Sequence, residues 1–269
     1  MEDSSFYKGK NYRNNMRKTE VKLSSKRAQL TLFIILGLVL IVGIILFFIY
    51  VLPNFSNSSS KLSIESCVTD AVKKEIPILS ETAGLINPTF NTLYQDENYT
   101  FICYTDEYYK PCVVQVPFLT TQFENSLNLR LNKKIIDCYE KSVDKLESEG
   151  YTVLRGTLTS KITIQPTQVL VSISAPTSIS SEDSSQTQED FEVEIPSDLF
   201  NVLSVANSLL QFEVTYGDTD TSPFRLYYPN IGLDKVRRDD GIKLYTLDNK
   251  KDIKFKFAVR SYAWPPGYG

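Results

Sequence analysis

The sequence predicts an α+β protein in which a single N-terminal transmembrane helix precedes an extracytoplasmic domain with two early helices, a mainly antiparallel sheet and one later helix. Three observations predict it. Residues 28–52, AQLTLFIILGLVLIVGIILFFIYVL, carry no charge. Two stretches between residues 63 and 149 repeat their apolar residues at helical spacing, and from residue 153 onward the spacing shortens to two. The chain accordingly divides into a basic cytoplasmic N-terminus (1–27), the span (28–52), a polar stalk (53–62), the outer domain (63–261) and an aromatic, proline-containing tail (262–269).

The span follows from length. A helix rises about 1.5 Å per residue and a hydrocarbon core is about 30 Å thick, so roughly 20 apolar residues cross it. Ahead of it stand eight basic residues against three acidic, a net of +5; after residue 27, 21 basic face 29 acidic, a net of −8. Lysine- and arginine-rich flanks stay in the cytoplasm, so residues 53–269 are expected outside. A cleaved secretory signal would have an apolar core of only about 7–15 residues and a small-x-small site. Here the run is longer and Pro53-Asn54-Phe55-Ser56 follows. Gly37 and Gly43 lie too far apart for a GxxxG helix-pairing motif.

At the entry to the span, Lys26-Arg27-Ala28-Gln29 resembles the class III, prepilin-type signal of archaeal pilins. That resemblance implies cleavage between Ala28 and Gln29 and self-assembly of the exposed helices into a filament. Such signals carry glutamate at the fifth mature position, where this chain has Phe33. A basic pair that only anchors the cytoplasmic end is the competing reading, and Phe33 favours it.

Cys67, Cys103, Cys112 and Cys138 all follow the span, as suits an oxidising compartment. Three connectivities are possible. Cys103 and Cys112 bracket eight residues, which favours a small closed loop, and Cys67 then joins Cys138. Without histidine or a CxxC the set does not suggest zinc. Asn54, Asn57 and Asn98 begin glycosylation sequons, the first two within the Ser- and Asn-rich stalk.

In the outer domain Ile64, Cys67, Val68, Ala71, Val72 and Ile76 share one helical face, with Ser63 as N-cap and Pro77 as end or kink. Residues 84–122 predict loops with a hairpin around Cys103 and Cys112. A second helix is expected over 124–149, stopped by Gly150. Cys67 and Cys138 both lie on apolar faces, so a disulfide between them would staple the two helices. Period-two runs then predict strands at 153–155, 158–164, 169–174 and 191–195, with 177–190 a polar loop. Ser197 opens a third helix through Leu210. Strands are expected at 211–216, 242–247 and 253–259, with a turn-rich stretch carrying Arg225, Tyr227, Tyr228, Lys235, Arg237 and Arg238 between the first two. The tail is expected to be extended and unpacked.

The absence of histidine excludes Ser-His-Asp and Cys-His nucleophile systems, and no phosphate-binding or common hydrolase motif is present. No cofactor, metal or nucleic-acid site is expected, and no catalytic residue is assigned. Asp218-Thr219-Asp220 begins like a calcium loop, but Pro223 and Pro229 occupy the positions of the turn glycine and the bidentate glutamate. Arg237-Arg238-Asp239-Asp240-Gly241 has the form of a solvated turn. Tyr104, Tyr108, Tyr109 and Trp264 form the candidate contact surface, since Tyr and Trp offer large contact area at small entropic cost.

Four short stretches resemble single-span surface proteins of small-genome archaea: the Arg27–Phe33 entry, Glu65-Ser66-Cys67, Cys138 in a later helix, and Phe255-Lys256-Phe257-Ala258. That resemblance implies a surface location and brings no activity. The expected function is a non-catalytic, pilin-like or adhesin-like surface protein contacting membrane lipid and other envelope proteins. Two alternatives stand beside it: an anchored hydrolase using a carboxylate pair, and an accessory or sensor subunit of a membrane complex.

Overall fold

The computed structural model describes residues 25–50, 62–182, 185–263 and 265, with side chains in the first of these segments described from 35 to 47. Two compact units result, Met1–Ser59 and Ser60–Gly269. The first contains α1, Ser25–Tyr50, a helix of 26 residues that takes in both Ala28 and Gln29. Its described side chains include Ile35, Leu38, Val39, Ile41, Ile45 and Phe47, all exposed. Among the described residues no helix is long and apolar enough to cross a membrane.

The second unit opens with α2, Glu65–Ser80, which lies antiparallel to α3, Leu119–Ser148. Three links tie them at matching steps: Ser63 N–H donates to Ser142 Oγ at 3.0 Å, Cys67 is bonded to Cys138, and Glu75 is paired with Arg130 and Lys134. Moving up one helix by four residues and then eight moves down the other by the same amounts. Both cysteines therefore sit on one packed seam, the staple expected from their apolar faces. Glu75 is fully buried, and the two cations that flank it offset the desolvation of its carboxylate.

Among the described residues ten strands form two sheets. These are β1 Asn91–Tyr94, β2 Glu97–Tyr104, β3 Val113–Val114, β4 Thr152–Arg155, β5 Thr159–Gln165, β6 Gln168–Ser180, β7 Ser185–Pro196, β8 Gly232–Arg237, β9 Ile242–Asp248 and β10 Lys254–Arg260. One sheet has the order β1-β2-β10-β9-β8, with β3 also on β2; every pairing in it is antiparallel except β2 with β10. The FKFAVR stretch of β10 is buried throughout, which marks β10 as the central strand. In the other sheet β6 pairs with β7 along one side, while β5 and β4 share the opposite side. Its inward residues, among them Val169, Val171, Ile173, Val193 and Ile195, join the main core with Phe123 and Leu127 of α3 and Leu203 and Leu209 of α4, Leu199–Tyr216. A short helix, α5, spans Ser222–Tyr227.

The outer edge of β5 is occupied by side chains of α3. Asn128 Oδ1 accepts from Ile162 N–H at 2.9 Å, and Glu124 Oε1 accepts from Ile164 N–H at 2.8 Å. Two edge donors that would otherwise template pairing with another chain are thereby satisfied.

Several expectations are corrected. The polar loop expected at 177–190 is mostly a hairpin extension of β6 and β7, because Thr177 and Ile179 are buried and pair across the ladder with Gln188 and Gln186. The strand expected at 211–216 is the end of α4. Glu213 falls on the same buried helical face as Leu209 and Leu210, and the helix runs until Gly217 adopts a left-handed φ of 75°. Pro77 does not end its helix, which continues to Ser80. The stretch between 217 and 241 contains α5 and β8. Tail residue Ala263 is buried against Gly241, and Tyr262 packs over Gly217, while Trp264 and 266–269 lie outside the described residues.

Cys103–Cys112 closes the short loop as expected, with Cα atoms 5.4 Å apart; Cys67–Cys138 has 5.8 Å. Since loop-closure entropy grows with loop length, Cys67→Ala/Cys138→Ala should lose about 4 kcal/mol and Cys103→Ala/Cys112→Ala about 3 kcal/mol. Urea unfolding followed by near-ultraviolet circular dichroism reads both, with the long-loop pair the more damaging.

Candidate functional site

The site grows from the C-terminal end of α4. Glu213 is fully buried there. Its carboxylate accepts from Lys243 Nζ and Tyr245 Oη of β9, and Lys235 Nζ of β8 stands 3.7 Å away. Lys243 also donates to Gly217 O, and Ser261 Oγ donates to Glu213 O at 3.0 Å. Helix, sheet and the segment that follows β10 thus meet at one residue, Glu213. Burial, reinforced by the charge of Glu213 beside it, pushes the Tyr245 hydroxyl far above its ordinary pKa, so it stays protonated and donates. Removing one member of such a buried set typically costs about 3–5 kcal/mol, because it strands the other charge.

Beyond Gly217 the chain folds back through a short connector. Thr219 Oγ1 donates to Leu209 O at 3.2 Å, and Asp220 Oδ1 accepts from Ser222 N–H at 2.9 Å. Pro223 then opens α5, where its missing N–H costs nothing. Arg225 holds α5 to the sheet by donating from Nε and Nη2 to Leu233 O, at 3.1 and 2.7 Å.

Between α4 and α5 lies a cleft of about 630 Å³, lined by Ser208, Phe212, Tyr216, Asp218, Asp220, Pro223, Phe224, Tyr227 and Tyr228. Its volume suits a small organic ligand. The Phe212 ring is 5.7 Å from Tyr216 and meets Phe224 edge-on at 5.9 Å and 88°, so the aromatic faces turn in different directions around the space. Tyr216 is 70% exposed and Tyr227 78%. Large aromatic side chains are thus exposed together at one place on the surface. On the far side of Tyr227 and Tyr228 a smaller, polar cleft of about 130 Å³ includes Asp198, Asn201, Asn230 and Asn249.

Two carboxylates line the larger cleft. Burial raises Asp218, but the Lys235 hydrogen bond and the charges of Lys235, Lys243 and Arg237 outweigh it and hold the group below the ordinary carboxylate range. Asp220 is also lowered, chiefly by the hydrogen bonds from Ser222. A glycosidase needs one carboxyl kept protonated as general acid, and neither of these meets that requirement at neutral pH. Among the described residues no group of His, Cys, Asp or Glu is arranged to hold a metal ion.

The contact surface expected from sequence is only partly assembled. Tyr104 stacks among Phe90 and Phe101 at 4.7 and 5.1 Å and, with Tyr108, flanks the Arg260 guanidinium at 5.9 and 5.4 Å. Tyr108 and Tyr109 are exposed, and Trp264 lies outside the described residues. Arg237 pairs with Asp218, and Arg238 pairs with Asp240 and donates to Thr92, so neither arginine is directed at an outside anion. Asn98 is exposed on β2, whereas Asn54 and Asn57 lie outside the described residues. The cleft aromatics Phe212, Tyr216 and Phe224 were not legible as a site. The available signal was their density, five aromatics in residues 212–228 around a proline and two aspartates.

No protein-family model, curated protein or solved structure matches the chain.

The depressed Asp218 carboxyl makes a pH test possible. Its folded pKa lies below its unfolded one, so its stabilisation is complete above the unfolded value of about 4 and fades as pH falls through the folded value. Asp218→Asn should therefore be less stable than the parent at pH 7 and approach it below about pH 4. Thermal melting across that range reads the convergence.

Proposed function

We propose that the chain is a membrane-anchored surface protein whose outer domain contacts partners or the envelope without catalysis. The observation that carries this reading is the order of parts in the sequence: a basic leader, an uncharged run of 25 residues at 28–52, then a folded unit closed by two disulfides. A helix over those 25 residues would be about 38 Å long at 1.5 Å per residue, more than a hydrocarbon core requires. The apolar residues of the described stretch 35–47 of α1 face every direction, as lipid contact demands and water does not favour. Disulfides persist in oxidising compartments, which supports an outer position for the unit they staple. The likeness to single-span archaeal surface proteins agrees with that placement. Ala28 and Gln29 sit within a continuous helix that already begins at Ser25, and Phe33 stands where a prepilin has glutamate, so an uncut anchor is the reading adopted over a filament core.

A specific observation favours a second reading. An accessory or sensor subunit needs a formed ligand site, and the cleft between α4 and α5 has the volume of one. The two readings share the anchor and differ in whether a small molecule or a protein occupies the outer domain.

Protease applied to intact cells should remove residues of 53–269 while leaving the N-terminus protected. If that region survives until the cells are lysed, the orientation is wrong and the proposal fails. Mass spectrometry of the native chain checks the rest: it should find Met1 retained, both disulfides formed and carbohydrate on at least one of Asn54, Asn57 and Asn98, whereas a chain starting at Gln29 would favour the filament.

A further inference from the structure

We infer that the cleft between α4 and α5 binds a small organic cation, with the aromatic faces taking its positive group and Asp220 balancing its charge. This rests on the reading of the outer domain as an interaction module and names the ligand class of that same site. Five aromatic side chains, Phe212, Tyr216, Phe224, Tyr227 and Tyr228, line about 630 Å³, and the lining contains no lysine or arginine. A cation is attracted by the negative face of an aromatic ring within about 6 Å of its centroid, and more so once it is desolvated. Rings turned to different directions, as Phe212 and Phe224 are at 88°, allow more than one face to meet the same charge.

The carboxylates give the cleft its sign. Asp218 is already engaged by Lys235 and Arg237, with Lys243 at 3.7 Å, so its charge is compensated from behind. Asp220 is held ionised and in place by Ser222, and no basic side chain of the described residues reaches it at ion-pair distance. One carboxylate beside an apolar aromatic wall, influenced by the Lys235 charge but in no ion pair among the described residues, is therefore open to a ligand cation. An anion would meet this unpaired carboxylate unfavourably, and a neutral apolar molecule would leave it unused. The chain beyond residue 27 has a net charge of −8, which attracts cations over longer range. Arg225, the basic residue within α5, is turned to the sheet by its bonds to Leu233 O and does not fill the space.

The test compares choline with 3,3-dimethyl-1-butanol, which has the same shape without the charge. Both are titrated against the full-length chain, purified in a detergent with neither ammonium nor sugar headgroup, and binding is read by saturation-transfer NMR. Choline should bind at least ~5-fold more tightly than its neutral isostere, within the range expected for cation–π contacts plus one carboxylate. Tyr227→Leu and Asp220→Asn should each weaken choline by ~3–10-fold. Both side chains are exposed, so the fold should survive, and unchanged circular dichroism verifies it. Equal binding of the two probes, choline binding that ignores both variants, or binding of maltopentaose without choline would overturn the inference. Because binding is read on purified protein and orientation on intact cells, failure of this inference and failure of the anchored-surface reading are separately visible.

Discussion

One buried carboxylate sets the arrangement on which the candidate site depends. Glu213 lies on the face of α4 that packs into the core, where an isolated charge would be costly. It is tolerated because Lys243 and Tyr245 of β9 bond to it and Lys235 of β8 stands beside it. Those partners also fix what surrounds it. Lys243 reaches the carbonyl of Gly217, Lys235 reaches Asp218 and the carbonyl of Thr219, and Ser261 reaches the Glu213 carbonyl. The end of α4 and the connector that follows are thereby pinned to the sheet, and the cleft aromatics are carried by the elements on either side of that connector.

A different device holds the other side of the unit. There the pairing of α2 with α3 combines a covalent bond, Cys67–Cys138, with a second buried acid, Glu75, flanked by Arg130 and Lys134. The disulfide limits the unfolded chain, while Glu75 fixes register along the seam. The two halves of the core thus use the same electrostatic solution, an acid buried between cations, at two places far apart in sequence. The difference lies at their margins. Around Glu75 the cations end in solvent, whereas the Glu213 cluster passes its charges on to Asp218 at the edge of the aromatic cleft.

How much of this was legible in the sequence depends on range. The α+β class, the helical faces of 64–76 and 124–149 and both disulfide pairings follow from local spacing, since a helical period places Cys67 and Cys138 on apolar faces without any tertiary knowledge. The parallel pairing of β2 with β10 was not legible, because alternation describes a strand and does not choose its partner. Residues 211–216 misled for a sharper reason. Phe212, Val214 and Tyr216 alternate with polar residues, and a charged Glu213 argues against burial unless its partners thirty residues later are known. The hairpin extension at 177–190 was hidden because exposed strands tolerate Ser, Thr and Gln at most positions. The cleft inherits both difficulties, since two of its walls belong to the misjudged end of α4.

The measurement closest to the central claim is amide hydrogen exchange of Glu213→Gln against the parent chain. If Glu213 is what pins the end of α4 to the sheet, protection should fall selectively across about residues 213–228 and in β8 and β9, while α2 and α3, held by Cys67–Cys138, keep theirs. Unchanged protection across 213–228, or an even loss that includes the α2–α3 seam, would contradict the account.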